Sequence, residues 1–417
     1  MSKWLINKCR PLSRYVEEYK AKGLYSYFTE LEKTGTYITV KGIPLINFSS
    51  NDYLGLTHDP RVLNAAKKAF DIYGSGLCGS RYVVGTTVEH VKLEEKIAQW
   101  KGKEACIVFS TGYQTLLGTV SSLLTRMDDS IEEDIVLVID KLSHACILDG
   151  CSLAVGAQMT RGVSKMPDGQ IRYFRHNDPE SLEDIVKSNT EKGKKVIIIV
   201  EGVYSMDGDI CRLPDFVKIA DKYDAAIAVD DAHGTGVLGK TGRGTPEHFG
   251  LEKDVDLLMG TFSKALGCIG GFVTGQKDVI SHIKHKARSL IFSAAAPVSI
   301  IVSVSTIIDI IQSEPEHLAR LRENEAYFKN ELKNMGFDYA NSESPIVPIM
   351  IRDPEKTLYI STKLFENGVL MLPMLYPAVT KGEERLRCTI GAKHTKDDMN
   401  KALEVLKKEG KAIGVIK

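Results

Sequence analysis

Residues 225–271 read AAIAVDDAHGTGVLGKTGRGTPEHFGLEKDVDLLMGTFSKALGCIGG, and the architecture can be worked outward from them. Two short apolar runs, Ala225–Val229 and Val255–Met259, each stop at a cluster of polar side chains. The first delivers Asp230, Asp231 and His233, and the second delivers Thr261, Ser263 and Lys264. Open α/β sheets build their sites in this way, at the carboxyl ends of their strands. Small residues follow Lys264 (Ala265, Gly267, Gly270 and Gly271), where backbone or a ligand can approach closely.

An acid and a histidine at one strand end, with a lysine at another, suit pyridoxal 5'-phosphate (PLP). The lysine can form a Schiff base, and an aspartate can keep the pyridine nitrogen protonated. The same stretch holds a competitor. Gly234–Thr241, GTGVLGKT, fits G-x-x-x-x-G-K-[ST], and Gly234, Gly236 and Gly239 fit G-x-G-x-x-G. Both nucleotide motifs need a helix opening immediately after them, because helix amides and the helix dipole bind the phosphate. Gly242-Arg243-Gly244-Thr245-Pro246 follows instead, which is loop chemistry. A P-loop nucleotide-binding protein is therefore the remote alternative.

The bulk numbers narrow the class. A chain of 417 residues corresponds to roughly two or three domains. Lys+Arg and Asp+Glu both number 54, so net charge draws the chain toward neither nucleic acid nor an anionic membrane. Cysteines stand at 9, 78, 106, 146, 151, 211, 268 and 388 with no C-x-x-C pair. They read as buried, reduced thiols of a cytoplasmic protein, with neither a disulfide framework nor a metal site. The N-terminus, MSKWLINKCRPLSRYVEEYK, lacks the apolar core of a signal peptide. Val298–Ile311 is interrupted by Ser299, Ser303, Ser305 and Asp309 and is too short to span a bilayer. It reads as a buried or subunit-facing helix, and no integral membrane segment is expected.

Along the chain, residues 1–34 read as a loosely helical, charged arm. Tyr37–Val40 and Leu45–Phe48 read as a hairpin around Lys41-Gly42. Pro60–Tyr73 reads as a helix capped by Asp59, with proline at its first position. The amphipathic helix Val88–Trp100 leads to the strand Ala105–Phe109. After it, Ser110-Thr111-Gly112-Tyr113 opens a helix through Leu124, a plausible anion cradle. Ile135–Ile139 runs into Ser143-His144, Val196–Val200 into Glu201–Gly208, and Pro214–Tyr223 is the helix before the Asp230 strand. Such alternation implies a mostly parallel sheet with helices on both faces. A long helical region, 277–336, precedes a small α+β domain with strands Ile346–Ile351, Gly368–Pro373 and Arg385–Thr389 and helices Lys356–Asn367 and Thr395–Glu409.

Four blocks carry a resemblance: NFSSNDYLGL (47–56), EGVYSMDGD (201–209), VDDAHGTGVLG (229–239) and GTFSKALG (260–267). With them the chain, over about residues 20–410, resembles the α-oxoamine synthases, a group of fold-type I PLP-dependent transferases. The group includes 8-amino-7-oxononanoate synthase, glycine C-acetyltransferase, 5-aminolevulinate synthase and serine palmitoyltransferase. The resemblance implies an N-terminal arm and hairpin (1–58), a large PLP-binding α/β domain (59–296), and a linking helix with a small C-terminal α+β domain (297–417). It makes Lys264 the Schiff-base lysine, Asp230 the partner of the pyridine nitrogen, and His233 the partner of the phenolic oxygen. His144 stacks on the ring, and Ser205 contacts it. Gly112, Tyr113, Thr261 and Ser263 hold the phosphate, while Ser293 reaches the phosphate of the other subunit of a homodimer. Arg387, assisted by Asn51 and Thr389, takes the amino-acid carboxylate through paired guanidinium hydrogen bonds. Arg385 is the alternative assignment.

The implied reaction is a decarboxylative condensation of a small amino acid (Ala, Gly or Ser) with an acyl-CoA or acyl-carrier-protein thioester, giving an α-aminoketone. Another fold-type I enzyme, an aminotransferase or aldolase, is the nearer alternative. Two departures stand out. GYQTLLG places Leu116 where the family often has asparagine, and the arm KGLYSYF (22–28) lacks the arginines expected for an acyl carboxylate. That arm looks more like the serine palmitoyltransferase branch.

Overall fold

Short β-branched runs make the centre of the molecule, and glycine, proline and aspartate punctuate them. The computed structural model describes residues 2–21, 25, 27–124, 134–160 and 170–417. The arm and hairpin comprise α1 (Lys3–Ala21), β1 (Tyr37–Val40) and β2 (Ile43–Asn47). Next come α2 (Pro60–Tyr73), α3 (Val88–Lys101), β3 (Ala105–Phe109), α4 (Gly112–Leu123), β4 (Ile135–Asp140) and α5 (Ala145–Thr160). They are followed by β5 (Ile171–Phe174), α6 (Pro179–Thr190), β6 (Lys195–Glu201), α7 (Leu213–Tyr223), β7 (Ala226–Asp230), α8 (Thr245–Phe249), β8 (Leu257–Thr261) and β9 (Gly271–Gly275). The helices α9 (Lys277–Lys286), α10 (Arg288–Ile291), α11 (Val298–Ser313) and α12 (Glu316–Met335) lead to the C-terminal part. That part holds β10 (Ile346–Met350), α13 (Pro354–Glu366), β11 (Val369–Leu370), β12 (Leu372–Met374), β13 (Arg385–Thr389) and α14 (Lys396–Ala412).

The central sheet has seven strands in the order β3-β9-β8-β7-β6-β4-β5. Only β9 runs against the others. Alternate residues of one strand feed opposite layers, as the two-residue period requires. Val136 and Val138 of β4 pack with Leu182, Val186 and Phe216 of α6 and α7. Leu137 and Ile139 pack with Val120, Ile147 and Ile283 of α4, α5 and α9. With both faces covered, the strands are apolar almost without interruption.

Several expectations shift. The strands at Asp230 and Thr261 include those residues instead of stopping before them. Gly271–Gly275 is a strand the composition hid, because two glycines bound it. It turns back beside β8 through residues 262–270, a short antiparallel connection. The run Gly368–Pro373 divides between two sheets: β11 lies parallel to β2, and β12 pairs with β13. The N-terminal hairpin is thereby stitched to the C-terminal part. Its two-residue turn, Lys41-Gly42, has φ of 49° and 75°, the left-handed pair a tight hairpin needs. The 277–336 region is four helices. Within it α11 is buried through Ile301, Val304, Ile307 and Ile308, as its apolar run suggested. Among the described residues no single helix is long and apolar enough to cross a membrane.

The loop after β6 is pinned at its far end by a buried charge cluster. His176 Nδ1 lies 3.0 Å from Asp140 Oδ1, and its Nε2 lies 3.2 Å from Asp209 Oδ2. The Tyr204 hydroxyl donates to Asp140 at 2.8 Å. Burial alone would push the His176 imidazole down, but the two carboxylate partners outweigh it and carry it up to about 10. A raised histidine stabilises the fold fully below its ordinary value of 6.5, and that contribution fades as pH climbs through 10. The difference in denaturation midpoint between the parent and His176→Gln is therefore expected to be largest near pH 6 and to shrink toward pH 10. A difference that stays constant across that range, in chemical-denaturation curves, would show the ring is uncharged.

Candidate active site

The carboxyl ends of β6, β7 and β8, with the turns after β3 and β4, converge on a cavity of about 300 Å³. Gly112, Tyr113, His144, Glu201, Asp230, His233, Thr261, Ser263 and Lys264 all line it. Each strand carries its polar residue to the same edge of the sheet, so residues far apart in sequence meet there. Asp230 and Glu201 are register partners on adjacent strands, and both are buried. Lys264 enters from the β8–β9 connection, half-buried.

These three groups set the electrostatics. Burial pushes Lys264 down from the ordinary lysine range, while Asp230 and Glu201 oppose that shift. Burial pushes the Asp230 carboxyl up, against the pull of Lys264. Glu201 is raised by burial and then by Asp230 beside it. Its Oε1 accepts the His144 backbone N–H at 2.5 Å. Two buried carboxylates against one amine leave the cavity short of positive charge.

The opposite end is built for an anion. Thr111 caps α4 by accepting the Gln114 N–H at 3.0 Å, and the Gly112 and Tyr113 amides open the helix without intrahelical acceptors. A side chain at Gly112 would put a Cβ 2.5 Å from Thr261 Oγ1, so only glycine lets α4 start this close to β8. Thr261 Oγ1 is 2.9 Å from Ser263 Oγ and accepts the Ser263 N–H. Gln114 Nε2 donates to Ser293 Oγ at 3.0 Å, which places Ser293 at the same helix start. The donors at one end, the carboxylate Asp230 and an amine between them match a phosphate, a basic ring nitrogen and an aldehyde held in one molecule. The residues fit PLP.

His233 is buried, with Nδ1 2.7 Å from the Tyr53 hydroxyl. His144 is exposed at the cavity rim, its Nδ1 accepting the Cys146 backbone N–H at 3.3 Å. Burial, then the Lys264 charge, lowers both imidazoles. Asp231 faces away and is wholly buried, accepting from Thr235 and Thr245 and lying 3.5 Å from Lys101 Nζ. The neighbouring aspartates therefore do different work.

The two arginines of RLRCT separate as clearly. Arg385 is neutralised by Asp207 at 2.5 Å and Glu383 at 3.2 Å. Arg387 donates only to neutral oxygens: Ser205 O at 2.8 Å, Asn51 Oδ1 at 3.2 Å and Thr389 Oγ1 at 3.3 Å. Among the described residues no carboxylate pairs with it, so its charge is available to an anion. Asn51, Thr389 and Ser205 gather around it, with the Ser205 carbonyl acting as its anchor; none of these lines the cavity itself.

Glu201, Cys146 and Tyr53 carry no assigned role in the sequence reading. Glu201 opens the EGVYSMDGD block and Tyr53 lies within NFSSNDYLGL, so the blocks contained the signal without a partner to explain it. The P-loop lookalike folds as successive turns, with Gly236 N donating to Gly242 O at 2.8 Å. The Glu247 carboxylate takes the Thr241 and Arg243 amides, and Lys240 is exposed. Most of the amides that a nucleotide phosphate would need, including those of Gly234, Thr235, Gly236 and Thr241, already have acceptors.

Comparison with known proteins agrees with this geometry. Residues 43–406 match the model for aminotransferase class I and II. The chain is 42% identical over 405 residues to the serine palmitoyltransferase of Sphingobacterium spiritivorum, covering 97% of this chain and 96% of that protein. It is 40% identical over 406 residues to 8-amino-7-oxononanoate synthase 1 of Bacillus velezensis, covering 97% and 98%. A solved structure of SPT with a PLP internal aldimine superposes with a TM-score of 0.89 at 32% identity, over 99% of this chain and 100% of that one.

Lys264→Ala is expected to bind PLP without covalent attachment, leaving nothing for borohydride to trap, and to lose roughly a thousandfold or more in turnover. Asp230→Asn should fold normally, as read by circular dichroism, yet lose most activity. Normal turnover in Asp230→Asn would overturn the assignment of the pyridine-nitrogen role to Asp230.

Proposed function

The chain belongs to the class I and II aminotransferase family and, within it, to the α-oxoamine synthases, and from that premise we propose the reaction it performs. It joins a small amino acid to an acyl thioester, loses carbon dioxide and releases an α-aminoketone. One observation carries the reading. Lys264, Asp230 and the anion cradle surround one cavity, while Arg387 stands near it with its charge unspent.

When bound, PLP supplies the electron sink that stabilises a carbanion at the amino acid's α-carbon. The chain's own residues do the rest. Lys264 holds the cofactor through its amine and, once the substrate amine replaces it, takes the α-proton. Its lowered pKa keeps part of the population as free amine near neutrality. Asp230, buried behind the cavity, keeps a proton on the ring nitrogen. Gly112, Tyr113, Thr261 and Ser263 would hold the phosphate by amides and hydroxyls, and His144, at the rim of the same cavity, would supply a face for the ring. Arg387, steered by the Ser205 carbonyl and by Asn51, receives the amino-acid carboxylate.

The active form is a homodimer with sites between protomers. Exposed apolar residues support this: Phe292, 72% exposed, precedes Ser293, and Tyr82, Val83 and Val84 follow the Ser80–Ala294 bridge. All eight cysteines are free, in keeping with a reducing compartment such as the cytoplasm. If Ser293 serves the partner's cofactor, a Lys264→Ala chain and a chain defective at Ser293 should restore activity in mixed dimers. Verified heterodimers that stay inactive would place each site within one chain.

The acyl donor follows from the arm. Burying an unpaired tail carboxylate costs on the order of several kcal/mol, whereas each buried methylene contributes roughly 0.8 kcal/mol. Lys22 and Leu24 lie outside the described residues. Among those described, Tyr25, Tyr27 and Phe28 remain of the 22–28 stretch, Phe28 is 95% exposed, and the stretch itself contains no arginine. Arg14, on α1, is the nearest upstream guanidinium and is exposed. Free-thiol release and amino-acid-dependent carbon dioxide release are expected with fatty acyl-CoA, at higher kcat/KM than with pimeloyl-CoA of matched length. The reverse order, removed by Lys22→Ala or Arg14→Ala, would assign the chain to the oxononanoate branch. Transamination without carbon dioxide release would reject the reaction itself.

A further inference from the structure

The turn Asn51–Tyr53 touches both ends of the site at once. Asn51 Oδ1 accepts from Arg387, and two residues later the Tyr53 hydroxyl meets His233 Nδ1 at 2.7 Å. The turn is closed by its own backbone, Tyr53 N donating to Asn51 O at 2.8 Å. It is tied to the small domain as well, where Ala392 N donates to Tyr53 O at 2.7 Å. Tyr53 is 1% exposed and packs in the main core with Leu54 and Leu56. Its ring meets the His233 ring edge-on at 73°. The side chain has no room to turn its hydroxyl elsewhere.

The hydrogen-bond inventory then fixes the protons. A phenol has one proton to give, a guanidinium only donates, and a neutral imidazole has one donor and one acceptor nitrogen. Burial keeps the Tyr53 proton in place. Among the described residues the partner of the phenol oxygen is His233 Nδ1. Burial, then the charges of Lys264 and Arg387, keeps His233 neutral. If His233 carried its proton on Nδ1, it would donate to the Tyr53 oxygen and the phenol's own buried proton would have no acceptor, an arrangement folded interiors avoid. The consistent order runs from the Tyr53 O–H to His233 Nδ1. The single imidazole proton is then on Nε2.

We propose that Tyr53 is a positioning residue that sets His233 as the Nε2–H tautomer, a donor for the cofactor's phenolic oxygen. This rests on the PLP reading given above.

The test uses the full-length chain labelled with 15N-histidine, with and without PLP. Two-bond proton–nitrogen spectra identify the protonated ring nitrogen, and His233→Asn assigns the signal. Wild-type His233 should be protonated on Nε2 alone from pH 6 to 9. In Tyr53→Phe, which keeps the ring and packing, the signal should become a tautomer mixture or begin to titrate. The same variant should lose roughly tenfold in kcat and gain a new acid limb in its pH–rate profile, with an unchanged thermal midpoint. An Nδ1–H or doubly protonated His233 in the wild-type chain overturns the proposal, whatever the variant does. So does a Tyr53→Phe chain with the parental spectrum and pH profile. Failure of the wild-type chain to take up PLP would refute the cofactor reading instead, since the tautomer is measured without it.

Discussion

Two carboxylates, Glu201 and Asp230, lie side by side on adjacent parallel strands, buried, with Lys264 as the amine that faces them. Like charges this close cannot both ionise without help, so one proton or one further cation has to be shared among them. The rest of the site answers that requirement. Lys264 arrives on a short reversal between β8 and β9, which is why a single antiparallel strand exists in an otherwise parallel sheet. A ligand bringing a protonated ring nitrogen relieves the imbalance, and one bringing a phosphate fills the cradle at the other end. The cavity is thus complementary to a molecule that is cationic at one end and anionic at the other.

The floor beneath it is a second buried pair, Lys101 with Asp231. Burial lowers the Lys101 ammonium to about 8, against the attraction of Asp231. Hydrogen bonds from Lys101 to Thr235 Oγ1 at 2.8 Å and to the Arg243 carbonyl at 2.5 Å complete its shell. Removing one member of such a pair strands a charge in the core, at about 3–5 kcal/mol. This pair holds the 231–245 turns in place, including the segment that imitates a phosphate loop. The mimicry therefore has a structural cause: the glycines serve tight turns around Asp231, and Gly244 is so close that a Cβ there would overlap the Asp231 carboxylate.

Substrate recognition draws on a different part of the chain. Arg387 belongs to β13 of the small domain, Ser205 to the loop after β6, and Asn51 to the loop after β2. That loop can reach the site because β2 is paired with β11, far along the chain, and because Thr389 N donates to Phe48 O at 2.7 Å. The His176 cluster at the other side of the 204–209 loop steadies the carbonyl that aims Arg387. Positioning is thus distributed over three segments, two of which, the Asn51 loop and β13, are hydrogen-bonded to each other.

Local pattern was enough for most of the parallel strands and their polar ends, since unbroken apolar runs and capped helices such as Asp59-Pro60 depend on neighbours in sequence, but it missed the glycine-bounded β9. It was enough for Lys264, Asp230 and the α4 cradle, because strand ends in a parallel sheet share one edge. It chose Arg387 over Arg385 without the charge pairing that separates them, and it said nothing of the roles of Glu201 or Tyr53. Those identities depend on which charges are already paired: Arg385 by Asp207 and Glu383, Asp231 by Lys101, while Asp230 lines the cavity and Arg387 has no carboxylate partner among the described residues. The pairs Arg385–Asp207 and Lys101–Asp231 join residues more than a hundred positions apart, and no periodicity along the chain records them. The sequence by itself determined the chemistry on offer at each strand end; the tertiary structure decided which of those groups remained free to use it, because burial and long-range ion pairing consume the others.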